Sequence, residues 1–220
     1  SATLSSLLII FAAIFYIHFR NKKSILSYLM TLILGILAFL TYEIAVVIPF
    51  LLILIDITFF KLIKNPKMLL THIPFIALLP LYYLIRNLTH TFSGGGDYSY
   101  NYLNIIPNTL GNLFGYAGLF LFGHGFLTIY DPLRASLREN MPLFVIITIL
   151  ILTILILILR VYGKKLLKIH NNNTKVILFG ILFAVISLLP YLPLGNIAPR
   201  YLYLASAGLC ISLVLSLSFI

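Results

Sequence analysis

Of 220 residues, 61% are hydrophobic and only 9% carry a charge, against roughly 45–50% and about 25% in soluble globular domains. A single core of this size cannot hide so much apolar surface from water, which excludes a soluble fold. The formal charge of +10 does not point to nucleic acid, because the basic residues lie in short clusters between apolar runs, the pattern of loops facing the cytoplasm.

In hydrocarbon every backbone amide must bond internally, which leaves helices or a closed barrel. The apolar runs are continuous: Ile149 to Leu159 is interrupted only by Thr153, unlike the in–out alternation of a barrel strand. The fold expected is therefore all-α, a polytopic transmembrane helix bundle of about seven to eight membrane segments. In chain order the segments are 4–19, 25–42, 44–60, 69–86, 105–129, 141–160, 175–193 and 200–220.

Three basic clusters set the orientation: Arg20, Lys22 and Lys23; Lys61, Lys64 and Lys67; and Arg160, Lys164, Lys165, Lys168 and Lys175. Placing all three in the cytoplasm puts Thr41-Tyr42-Glu43, Arg86 and the stretch from Gly195 to Arg200 on the outer side. Eight full crossings would leave the third cluster outside, so one segment must fail to cross. The choice falls on 105–129, where Gly111, Gly115, Gly118, Gly123 and Gly125 weaken a helix interior and suit a broken or re-entrant segment. Residues 87–104 then form an outer loop. The chain opens on Ser-Ala-Thr and stops in an apolar run at Ile220, which reads as an internal fragment of a longer protein, a single helical membrane domain.

The polar residues are few enough to weigh singly. Glu43 stands between two apolar runs, where an ionisable group is costly and tends to be functional; the alternative is a solvated turn residue. Arg200 opens the last segment in Pro-Arg-Tyr-Leu-Tyr. Its guanidinium can grip a phosphate, with Tyr201 and Tyr203 flanking a lipid or sugar, or the tyrosines are plain interfacial anchors. Arg86 breaks the inside-positive trend, so it either snorkels or holds an anion. Asp56, about one turn before Lys61, reads as an interfacial charge. Asp131-Pro132 reads as an N-cap followed by proline at the first helical position. Gly94-Gly95-Gly96-Asp97 lacks the Lys-Ser/Thr of a phosphate loop. Histidines 18, 72, 90, 124 and 170 are too scattered for a metal site, Cys210 has no partner for a disulfide, and no cofactor is called for.

At this point a resemblance enters. Phe39-Leu40-Thr41-Tyr42-Glu43-Ile44-Ala45-Val46-Val47-Ile48-Pro49, running on to Asp56, resembles the stretch in GT-C glycosyltransferases where a leucine-rich helix meets Ser-Lys-Glu and a proline-bearing apolar helix. Pro80 to Arg86 is similar to the next span of the branch of multi-pass protein O-mannosyltransferase-like enzymes that carry tetratricopeptide repeats. Arg200-Tyr201-Leu202-Tyr203-Leu204-Ala205-Ser206-Ala207-Gly208 looks like that branch's Arg-Tyr-Leu-Tyr-Leu-Pro-Ser-x-Gly signature. Tyr42 stands where the family has lysine, and Ala205 where it has proline.

The resemblance implies a GT-C-like membrane enzyme that moves a sugar from a polyprenyl-phosphate carrier to a protein or glycan acceptor on the outer or lumenal face. It would sit in a bacterial inner membrane or the endoplasmic reticulum, among membrane lipids. Glu43, Arg86, Arg200, Tyr201 and Tyr203 would bind the substrate, and the family's catalytic acid would lie upstream of Ser1. Two other readings stand beside it: a non-catalytic membrane scaffold or accessory subunit, and a transporter or lipid flippase, against which the near absence of mid-span charge weighs.

Overall fold

The computed structural model describes residues 1–60, 66–88, 105–140, 146, 153 and 172–217. The expected segment 141–160, apart from those two isolated positions, lies outside the described residues. So do the loop glycines at 94–96 and the basic residues at 160–168.

All regular structure among the described residues is helical. Helix α1 is Ala2–Lys22 and α2 is Ile25–Thr41; a 3-10 turn, Glu43–Val47, leads into α3, Ile48–Phe59. A second 3-10 turn, Pro66–His72, leads into α4, Ile73–Leu88; then come α5 at Ile105–Phe122, α6 at Phe126–Glu139, α7 at Asn172–Leu188 and α8 at Leu202–Leu217, which begins on a 3-10 turn at Pro199–Tyr201. Four helical stretches, at Ala2–Lys22, Met68–Leu88, Ile105–Phe122 and Pro199–Leu217, are long and apolar enough to cross a membrane, and the apolar α2 and α7 are shorter. Together these helices mark an integral α-helical membrane protein.

Local chemistry sets the helix ends. Ser1 caps α1 by accepting from the Leu4 amide, and α1 stops where Lys23 turns left-handed (φ 54°) with its N–H on the Phe19 carbonyl. Arg20 and Lys22 in the last turn suit the negative pole of the helix. Ser24 at once caps α2, so the reversal takes two residues. At the far end Tyr42 is extended, and Pro49 sits in the first turn of α3, where its missing N–H costs nothing.

The chain therefore runs from end to end. Ser5 of α1 donates to the Ala38 carbonyl of α2, so residue 43 lies at the end of the bundle that holds residue 1. Arg20 meets Asp56 of α3 at the opposite end. Helix α4 starts at the Arg20 end and delivers Arg86 beside Glu43. Phe179 of α7 packs on Phe59 at 5.1 Å, placing Lys175 at the Arg20 end, and α7 leads up to Tyr191. Cysteines introduced at 22 and 43 (with Cys210 removed) are accordingly expected to react with a membrane-impermeant maleimide from opposite sides, position 22 from the cytoplasm. Labelling of both from one side would overturn this arrangement.

The segment expected to be broken does break, at one place. Helix α5 ends at Phe122, Gly123 adopts a left-handed φ of 73°, and α6 begins at Phe126. The interruption is confined to the turn at Gly123–Gly125. Gly111, Gly115 and Gly118 stay helical and keep one side of α5 bare, so that α6 can lie against it. The Tyr130 ring occupies the space a Cβ at Gly115 would need, and the Phe126 ring does the same at Gly118. Tyr130 donates to the Gly111 carbonyl. Pro132 is a correction: it lies inside α6 instead of opening a helix, because the turn at Gly123–Gly125 starts the helix earlier.

Helices α7 and α8 approach closely at Gly180 and Gly208, where a Cβ on either would press on the other's carbonyl oxygen. Small residues allow such contact in lipid, where dispersion and interhelical hydrogen bonds drive association. Ser212 of α8 donates across to the Ile177 carbonyl at 2.8 Å.

Candidate substrate site

At the Glu43 end three elements bring polar side chains together. The 3-10 turn after α2 carries Glu43, α4 carries Arg86, and the turn opening α8 carries Arg200 and Tyr201. Arg86 approaches Glu43 at 3.8 Å, with side chains 28% and 44% exposed. The Arg86 guanidinium lies over the Tyr82 ring at 5.3 Å, and that ring leans on Phe39 at 5.5 Å.

Arg200 lies over Tyr201 at 5.1 Å and donates to its hydroxyl at 3.3 Å. Tyr201 is buried and stacked on Tyr191, rings 3.8 Å apart and 7° from parallel. Tyr42 links the two halves. It lies close enough to Tyr201, Glu43 and Arg200 for all three to act on its hydroxyl; burial first, then Glu43, push it up to about 12. It is thus a neutral hydrogen-bonding group at physiological pH, where the family resemblance has a lysine.

Beside this cluster an apolar groove of about 360 Å³ runs between α2 and α4, lined by Ile36, Leu40, Leu78, Leu81 and Ile85, with Tyr42, Tyr82 and Arg86 at its polar end. Arg86 and Tyr42 line it directly. Glu43 reaches it through Arg86, and Arg200 through Tyr201 and Tyr42. Tyr203 is 50% exposed and lines no part of the groove. Tyr201 offers no free ring face, since Tyr191 covers one side and Arg200 lies against the ring. Among the described residues, two guanidiniums against one carboxylate make the cluster cationic, which suits an anionic headgroup with an apolar tail.

The loop behind Arg200 is held by the α5–α6 hairpin. Asn112, fully buried, turns its amide nitrogen toward the carbonyls of Leu192 (2.9 Å), Leu194 (3.0 Å) and Tyr191 (3.3 Å). Asn108, one turn earlier, donates to Pro193, and Arg134 of α6 donates to Leu194. Neither asparagine was singled out from sequence; the i, i+4 pair of amides on an apolar helix was the available signal.

The Arg20 end holds a second cluster, and here Asp56 is a correction. It is fully buried and no interfacial charge. It accepts from Arg20 Nε at 2.8 Å, from Tyr16 at 2.7 Å and contacts His72 Nε2 at 2.9 Å, with a second Arg20 contact through NH2. Arg20 also reaches Thr71, and Tyr28 donates to the Thr71 carbonyl. Helices α1, α2, α3 and α4 are thereby fastened around one carboxylate. Spacing could not reveal this, because the carboxylate's direct partners are 16 to 40 residues from Asp56 in the chain.

Among the described residues no three His, Cys, Asp or Glu side chains are grouped to hold a metal ion. Comparison with family models, curated proteins and solved structures finds no match to this chain.

Proposed function

We propose that this chain is the membrane domain of a GT-C-like glycosyltransferase that accepts a polyprenyl-phosphate-linked sugar at its Glu43 end. The observation carrying this reading is the apolar groove that ends on Arg86, with Glu43, Tyr42 and the Arg200–Tyr201 pair gathered beside it. A lipid-linked donor needs a lateral apolar channel for its chain and a cation at headgroup depth for its phosphate. Arg86 supplies that cation; Arg200, next along the chain of tyrosines, faces the sugar side. The full bundle of seven to eight segments, with α5–α6 as the re-entrant one, belongs to the same reading.

Sugar transfer from a radiolabelled polyprenyl-phosphate donor, measured in proteoliposomes carrying the whole protein, tests it. Arg86→Ala and Arg200→Ala are each expected to weaken donor use by about 2–4 kcal/mol, the worth of charge-assisted hydrogen bonds. Lysine at either place restores only part, lacking the planar fork. Wild-type rates in both alanine variants, or no donor binding by a folded protein, would return the chain to the reading of a membrane scaffold.

A further inference from the structure

We propose that Glu43 is a displaceable placeholder on Arg86, an internal anion that gives way when the phosphate of a single-chain amphiphile enters the α2–α4 groove. The inference rests on the reading of that groove as a substrate channel, and adds to it an ion pair that an incoming phosphate must displace.

Four observations carry it. Arg86 is the single charged side chain among the described residues lining the groove, and it stands at the polar end. An apolar channel ending on one guanidinium is complementary to one hydrocarbon chain with one anionic terminus. The Glu43–Arg86 separation of 3.8 Å is a Coulombic approach, too long for a direct hydrogen bond, and both side chains are partly exposed, so the pair is weak. The guanidinium also lies over Tyr82, which packs on Phe39; release of Glu43 therefore leaves Arg86 in position. Finally, the contrast with Asp56 is one of kind. Asp56 is buried and held by Arg20, Tyr16 and His72, whereas Glu43 has one ion pair among the described residues. A phosphate monoester brings more charge and three acceptor oxygens, and a sugar-linked phosphodiester still brings two free oxygens that match a planar fork, so either competes well for the guanidinium.

Farnesyl phosphate binding to the detergent-solubilised protein, followed by native mass spectrometry, distinguishes the possibilities. Glu43→Gln is expected to bind it about two- to fivefold tighter, the gain from removing a weak exposed pair. Glu43→Asp, whose carboxylate is withdrawn by one methylene, should move in the same direction. Arg86→Gln should bind it at least about tenfold more weakly. Farnesol, lacking the phosphate, should respond to none of these. A Glu43→Gln protein that binds equally or more weakly, while Arg86→Gln still abolishes binding, would overturn the placeholder and leave the groove reading intact. An Arg86→Gln protein that binds like wild type would sink the groove reading and this inference together. Equal competition by phosphatidylglycerol would show a general lipid site and overturn the single-chain occupant.

Discussion

Replacing Asp56 by alanine is expected to destabilise the folded protein by about 3–5 kcal/mol, because it strands a buried guanidinium without its counter-charge. Arg20 is only 9% exposed at its side chain, and its Nε and NH2 both point at the lost carboxylate. Tyr16 and His72, both fully buried, lose a partner in the same step. Asp56→Asn keeps the shape and one acceptor oxygen, and should fall between alanine and wild type. Glu43→Ala is the matched control at the other end of the bundle: its pair is longer and partly exposed, so its cost should be about 0–1 kcal/mol. Unfolding in mixed micelles, monitored by circular dichroism, measures all three. Equal and small losses for Asp56→Ala and Glu43→Ala would mean that the cluster does not fasten the four helices. The pair need not be a net stabiliser against an apolar replacement. A triple change of Arg20, Asp56 and His72 to hydrophobic residues of similar size could come out near neutral, so the single substitution is the diagnostic one.

Gly208→Val is expected to cost about 3 kcal/mol, the upper end of the usual range for overpacking. A Cβ at 208 meets the Gly180 carbonyl oxygen, with the Phe183 ring at 2.9 Å and the Ala184 nitrogen at 3.0 Å. Phe183 can turn aside; the backbone of α7 cannot, so the two helices must separate. Separation also stretches the Ser212 bond to Ile177. Gly125→Ala is the control, since nothing lies within 4 Å of a Cβ there. Comparing the thermal midpoints of the two variants in one detergent checks the result, and similar midpoints would contradict the close crossing of α7 and α8.

What the sequence made legible follows from which signals are local. Helix positions were readable because apolar runs and their Ser or Pro boundaries act within a few residues: α1, α2 and α4 lie close to the expected 4–19, 25–42 and 69–86. That the segment 105–129 is broken was legible as well, from glycine content and from the sidedness of the basic clusters. Which glycine makes the break was not, because Gly111, Gly115 and Gly118 differ from Gly123 only in having Tyr130 or Phe126 packed beside them. The same limit hid Asp56. Its neighbours within four residues are apolar except for Thr58, and its partners come from α1 and from the turn before α4. At the Glu43 end, the rarity of charge between apolar runs, the sidedness and the family resemblance together selected Glu43, Arg86 and Arg200. They could not tell that Tyr42 would link them, that Tyr201 would be consumed by stacking on Tyr191, or that Tyr203 would face outward.

The α5–α6 hairpin has one further consequence. Asn108 near its start and Arg134 near its end hold neighbouring carbonyls, those of Pro193 and Leu194, so the two ends of the hairpin lie side by side. If α5–α6 is the re-entrant element proposed above, it is silent in the arithmetic of crossings. Lengthening, shortening or excising it would then leave every other helix facing the way it did, whereas loss of any single crossing helix would invert all that follows. On that reading, the part of the bundle that buttresses the Tyr191–Tyr201 corner is also the part whose length can drift without scrambling the orientation of the rest.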